Sequence, residues 1–145
     1  MEIYTTGFTK KTAAEFFGSL RQVGIKRLID VRLNNSSQLA GFTKREDLPF
    51  FLLEICQAQY LHESLLAPTQ DILDAYKKRK ESWSDYEQRF LALMKERKVE
   101  ERIDRKSFEI PTVLLCSEAT AEHCHRRLVS EYLQTKWVDL KIKHL

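Results

Sequence analysis

Short apolar runs alternate along the chain with longer stretches in which apolar residues recur every three or four positions. Ile3 to Thr6 is β-prone and ends at Gly7, a residue free to take the unusual angles of a strand-to-helix turn. Ala13, Phe16, Phe17 and Leu20 then keep helical spacing, with Thr9 placed to cap the helix and Gly24 to end it. Ile25 to Leu33 carries Leu28, Ile29 and Val31 almost without interruption, which suits a strand covered on both faces. Asn34 to Gly41 offers little to bury and predicts a loop beyond that strand's carboxyl end.

Thr43 and Glu46 have the spacing of a capping box ahead of Leu48, Phe51, Leu52 and Ile55, although Pro49 moves the expected start towards Asp47. Ala58 to His62 predicts a third strand, followed by a turn at Ala67-Pro68-Thr69. Two helices are expected next, one over 69–80 with Ile72, Leu73 and Tyr76 on one face. The other carries Trp83, Tyr86, Phe90, Leu93 and Met94 and is the clearest helix in the chain. A polar connection over 102–109 leads to Ile110 to Cys116, whose Val113-Leu114-Leu115 run reads as a buried strand. Thr120 is placed to cap a helix over 121–134, and Trp137 to Ile142 supplies a last strand. The order β-α-β-α-β-α-α-β-α-β predicts a single three-layer α/β domain over 1–145: a mostly parallel sheet of about five strands with helices on both faces.

A length of 145 residues suits one core of ordinary size. Met1 to Gly7 lacks the basic start and apolar run of a signal peptide, and no stretch approaches the ~20 apolar residues of a membrane span. Three cysteines, odd in number and unevenly spaced, do not form a disulfide framework. A cytoplasmic, reducing location without membrane association is therefore expected. The net charge of +3 is mild, but residues 77–106 hold eleven Lys or Arg against seven Asp or Glu. That segment can attract a nucleic acid, or it is the solvated face of mixed-sign helices. The phosphate-loop, G-x-G-x-x-G, G-x-S-x-G and H-E-x-x-H patterns do not occur, which disfavours the enzyme classes built on them.

In open parallel sheets ligands bind beyond the carboxyl ends of the strands. That rule selects Asp30 and Arg32 after the second strand, His62 and Glu63 after the third, and Cys116, Ser117 and Glu118 after the fourth, with His123 to Arg126 close behind. A thiol ahead of a helix amino terminus can be held as thiolate, which makes Cys116 a candidate nucleophile; ordinary burial of a free cysteine is the competing reading. Cys124 shares helical spacing with Leu128 and Tyr132 and reads as structural. His125 is a candidate general base and Glu118 a second proton carrier. Arg126 is the favoured anion contact, against a helical ion pair with Glu122. Asp30 and Arg32 can contact a ligand or pair with each other. The spacing does not suggest a metal site, because adjacent Cys124 and His125 would point apart on a helix.

Asp30-Val31-Arg32, Tyr60, His62, Trp83 to Tyr86, Leu115-Cys116-Ser117-Glu118, Cys124-His125-Arg126 and His144 together resemble the domain of unknown function 488 family over nearly the whole chain. The paired C-x-E and C-H-R motifs are the specific part. The resemblance implies a small intracellular, mainly prokaryotic α/β protein and brings no established reaction. Ser64 to Pro68 stands where many relatives have a glycine pair, and Asn34-Asn35-Ser36 where many have a proline. The sequence thus leads to a cleft of Asp30, Arg32, His62, Cys116, Glu118, His125 and Arg126 that takes an anionic, nucleotide-like or phosphorylated small molecule, with catalysis by Cys116, Glu118 and His125. It identifies no cofactor and no oligomeric state. The competing readings are a nucleic-acid-binding module using residues 77–106 and a purely structural Cys/His/Arg cluster.

Overall fold

A computed structural model describes residues 1–36 and 40–145. Five strands form one sheet: β1 (Glu2–Gly7), β2 (Arg27–Asp30), β3 (Gln59–His62), β4 (Thr112–Cys116) and β5 (Lys141–His144), in the order β3-β2-β4-β1-β5. Every neighbouring pair is parallel, with Gly7 opposite Cys116 and Asp30 opposite both Leu115 and His62. The carboxyl ends of β1, β2, β3 and β4 therefore finish along one edge.

Alternate residues of each strand feed two cores. Tyr4, Leu28, Val113 and Leu115 pack with Phe16, Phe17 and Leu20 of helix α1 (Ala13–Gln22) and with Leu48 and Leu52 of the short α2 (Leu48–Phe51) and its π-helical continuation Leu52–Cys56. Ile3, Ile29 and Leu114 pack on the opposite face with Phe90 and Met94 of α4 (Trp83–Arg97), Val99 of α5 (Val99–Arg102) and Leu128, Val129 and Leu133 of α6 (His125–Lys136). Helix α3 (Gln70–Lys77) lies beside α4, its first turn capped by the Thr69 hydroxyl, which accepts from the Ile72 amide. The chain leaving β4 crosses to the face opposite those taken by the chains leaving β1 and β2, which makes β4 the point where the winding reverses and a crevice opens. Among the described residues, no helix is long and apolar enough to cross a membrane.

The cap of α1, the capping box ahead of α2 and the start of α6 differ from the sequence expectation. Thr12, rather than Thr9, caps α1 in a full capping box with Glu15; Thr9 instead bonds through its amide and hydroxyl to the Ser117 carbonyl. Thr43 turns inward and donates to the Ala40 carbonyl, so no box forms with Glu46, while α2 begins after Asp47, where Pro49 placed it. Helix α6 begins only at His125, with Cys124 extended at its cap, where Thr120 predicted an earlier start. The last strand runs Lys141–His144, since Trp137 ends α6 and packs on Phe108. The loop expected over 34–41 includes residues 37–39, which lie outside the described residues.

The β4–α6 loop touches β1 where a side chain is missing: a Cβ on Gly7 would overlap the Glu118 carbonyl and stand 2.8 Å from Arg126 Nη1. Gly7→Ala is expected to cost about 3 kcal/mol or more, because the obstacle is backbone. Gly18→Ala meets nothing within 4 Å inside α1 and should instead gain about 0.5–1 kcal/mol. Urea unfolding of both variants checks the opposite signs.

Candidate functional site

A cavity of about 230 Å³ opens at the carboxyl edge of the sheet. Its floor is Cys116 from the end of β4 with Cys124 and His125 from the start of α6, and its wall is Tyr76 of α3 with Trp83 and Tyr86 of α4. Trp83 stacks on Tyr86 at 5.1 Å and on His123 at 5.0 Å, and the aromatic series continues through Phe90 to the His125 ring. Arg32, Asn34, Lys77 and Glu118 stand around the opening.

His125 Nε2 lies 2.7 Å from the Val31 carbonyl, which can only accept, so Nε2 carries a proton and the ring turns its Nδ1 edge inward. Cys116 Sγ lies 3.4 Å from that Nδ1. The Cys124 thiol beside it holds the Cys116 thiol below the usual range, and the Ser117 amide and the Arg126 guanidinium add to the effect against burial. Cys124 is pushed the opposite way by Cys116 and by burial, so it keeps its proton. The three donor atoms of Cys116, Cys124 and His125 lie within 4.8 Å of one another, the only such group among the described residues. The expectation that Cys124 and His125 would point apart assumed both lay within a helix. Cys124 has φ −137° and ψ 139°, which swings its sulfur round beside the imidazole.

Behind this floor lies Arg126, fully buried and without a carboxylate partner among the described residues. Its Nη1 donates to the Glu118 carbonyl at 2.6 Å and towards Cys124 Sγ at 3.6 Å, and its Nε donates to Thr5 Oγ1 at 3.3 Å, while Nη2 has no partner. Thr5 Oγ1 lies 2.6 Å from His144 Nδ1, and burial and then Arg126 hold that imidazole below its usual range.

The expected site residues divide accordingly. Cys116, Glu118, His125 and Arg32 reach the cavity; Asp30, His62 and Arg126 do not line it. Asp30 is fully buried and saturated, taking the Arg32 Nε and Nη2 groups at 2.9 Å each, the Arg32 amide at 3.1 Å and the Tyr60 hydroxyl at 2.7 Å. His62 Nε2 holds the Arg32 carbonyl at 2.9 Å. These two residues build the edge that carries Arg32. Lys77 joins the site unforeseen, its Nζ 2.8 Å from Glu118 Oε1, as do the aromatic wall and Cys124. The aromatic cluster 83–86 is visible in the sequence, but only the fold brings the first turn of its helix to the cavity beside Cys116.

These features define a doubly wound α/β protein with a thiol and imidazole cluster at the carboxyl end of its central strand. Residues 12–133 match the family described as domain of unknown function DUF488, and the chain belongs to that family. The matched stretch contains the D-V-R, C-x-E and C-H-R motifs and stops before His144. No curated protein and no solved structure matches the chain.

Asp30→Asn leaves the Arg32 guanidinium buried with its partner's negative charge gone. A loss of about 3–5 kcal/mol is expected in urea unfolding; a loss below about 1 kcal/mol would show that Asp30 is not part of the scaffold.

Proposed function

We propose that the cleft binds a compact anionic molecule and that the protein is an enzyme acting on it through Cys116, His125 and Glu118. The observation that carries this reading is the Lys77–Glu118 ion pair at the mouth of a cavity floored by a thiol and an imidazole. Both side chains are nearly half exposed, at 49% and 43%, so their mutual attraction is worth about 0.2–1 kcal/mol and is readily exchanged. An arriving anion takes Lys77 as its partner and releases the Glu118 carboxylate, which then serves as proton acceptor at the rim. Arg32 at the rim is a hydrogen-bond donor rather than a free charge, because Asp30 and the Thr43 carbonyl engage its Nε and Nη2. The aromatic wall favours a ligand with a planar portion, such as a nucleobase, and a volume of about 230 Å³ restricts it to a small molecule.

Arg126, expected from sequence to touch the anion, supports the site from behind through the Glu118 carbonyl and the Cys124 sulfur. The nucleic-acid reading gains no comparable support: Lys78, Arg79, Arg89 and Arg105 pair with Asp74, Asp71, Glu81 and Asp139, and Arg97 donates to the carbonyls of Leu65 and Ala67.

Titration with inorganic phosphate and with adenosine monophosphate, followed by amide NMR, tests the reading. The Ser117, Glu118 and His125 signals are expected to shift in a saturable way. Lys77→Ala should weaken binding about three- to tenfold, the loss of one rim charge. Equal binding by Lys77→Ala, or shifts confined to residues far from the cavity, would overturn the proposal.

A further inference from the structure

We propose that Cys116, Cys124 and His125 form a three-ligand site for a divalent ion of the zinc type, with the fourth coordination position open to the cleft. The inference rests on the proposed anion-binding function only for what fills that fourth position. The ligand set rests on geometry alone. A zinc ion at about 2.3 Å from sulfur and 2.0–2.1 Å from nitrogen in tetrahedral array puts those two atoms about 3.5 Å apart. The distance from Cys116 Sγ to His125 Nδ1 is 3.4 Å, and Cys124 Sγ lies within 4.8 Å of both atoms. Only small side-chain rotations separate this arrangement from a coordination shell.

Three further features fit. The His125 Nε2 proton is held by the Val31 carbonyl, the outer-shell hydrogen bond that turns an imidazole lone pair onto a metal. The donors stand on rigid supports, one at the end of the central strand and two at the start of a twelve-residue helix. Among the described residues no fourth protein donor closes the group: Glu118 Oε1 is engaged by Lys77 at the rim. Three protein ligands facing a cavity is the pattern of reactive zinc sites, whereas structural sites are closed by four. Two thiolates also select zinc over magnesium, calcium or manganese.

The charge balance then gives the cleft its preference for anions. Asp30 offsets Arg32 and Glu118 offsets Lys77, whereas Arg126 has no carboxylate partner among the described residues. A divalent ion bound by two thiolates is itself neutral and leaves the Arg126 charge uncompensated beside it. The open position therefore favours an anionic fourth ligand, and Cys116 takes part as a metal ligand rather than as an attacking sulfur.

The experiment is a titration of chelator-stripped, reduced full-length protein with cobalt(II), followed by displacement with zinc. One equivalent should give the intense visible bands of a tetrahedral site and a thiolate-to-cobalt charge-transfer band, both abolished by one equivalent of zinc. Cys116→Ser and Cys124→Ser should each lose at least tenfold in cobalt affinity, while Cys56→Ser should lose none. A second measurement needs no variant: zinc should shield Cys116 and Cys124, but not Cys56, from iodoacetamide in peptide mass mapping. Absence of the bands, bands that survive Cys124→Ser, or equal alkylation with and without zinc would each overturn the metal site. Phosphate binding by the stripped protein in that event would leave the anion-binding function standing. Phosphate added to the cobalt form should shift the visible bands; unchanged bands would overturn the open fourth position.

Discussion

The guanidinium of Arg126 is the interaction on which the carboxyl edge of the sheet depends. A charged group withdrawn wholly from water is costly unless bonds replace its hydration. Here the replacements come from three different parts of the chain: the Thr5 hydroxyl of β1, the Glu118 carbonyl of the β4–α6 loop and the Cys124 sulfur at the cap of α6. Each bond draws its segment towards the same point. Gly7 completes the arrangement by leaving room for the loop to lie against β1, and Thr9 fastens the next turn of that loop through the Ser117 carbonyl. The position of Cys116 relative to Cys124 and His125 is a consequence of this packing.

An arginine of this kind also sets the ionisation of its neighbours. Asp30 and Arg32 cancel within a saturated pair, so neither projects a net charge into the cleft. Arg126 has no carboxylate, and the nearest group able to become anionic is a thiol. Two sulfurs side by side cannot both release a proton cheaply at that spot, and their preferences diverge, Cys116 towards thiolate and Cys124 towards thiol.

Much of the fold was legible because its signals are local. Apolar runs at 28–31 and 113–115 are buried on both faces, and helical spacing at 13–20 and 83–94 marks real helices, since periodicity reports which side of an element meets a core. Helix starts were legible less well. Thr9, Thr43 and Thr120 all have capping chemistry, but none caps the expected helix: Thr9 is recruited to the Ser117 carbonyl 108 residues away and Thr43 to the nearby Ala40 carbonyl. The misplaced start of α6 mattered most for the site. With the helix beginning at residue 121, Cys124 belongs to a core face; with Cys124 as an extended cap, it turns into the cleft beside His125. The strand-end rule found Cys116, Glu118, His125 and Arg32, because it follows from sheet topology. It could not separate residues that line the opening from those that brace it, and Asp30, His62 and Arg126 fell in the second group. Lys77 was visible only as one base in a mixed run, and its partner lies 41 residues on.

The two ion pairs near the cleft show how bracing and working groups differ physically although their residue types are the same. Asp30–Arg32 is buried, bidentate and reinforced by the Tyr60 hydroxyl and the Thr43 carbonyl. Taking either member away strands a charge in low dielectric, so the pair cannot open for a ligand without unmaking the edge of the sheet. Lys77–Glu118 is comparably short, with its N···O separation of 2.8 Å against 2.9 Å for Asp30–Arg32, yet water reaches both of its members and can solvate each one when they separate. Distance alone would rank the pairs as equals. Burial makes the first a beam and the second a latch, and the proposed function needs a latch, since its lysine must pass to an incoming anion while its carboxylate is freed.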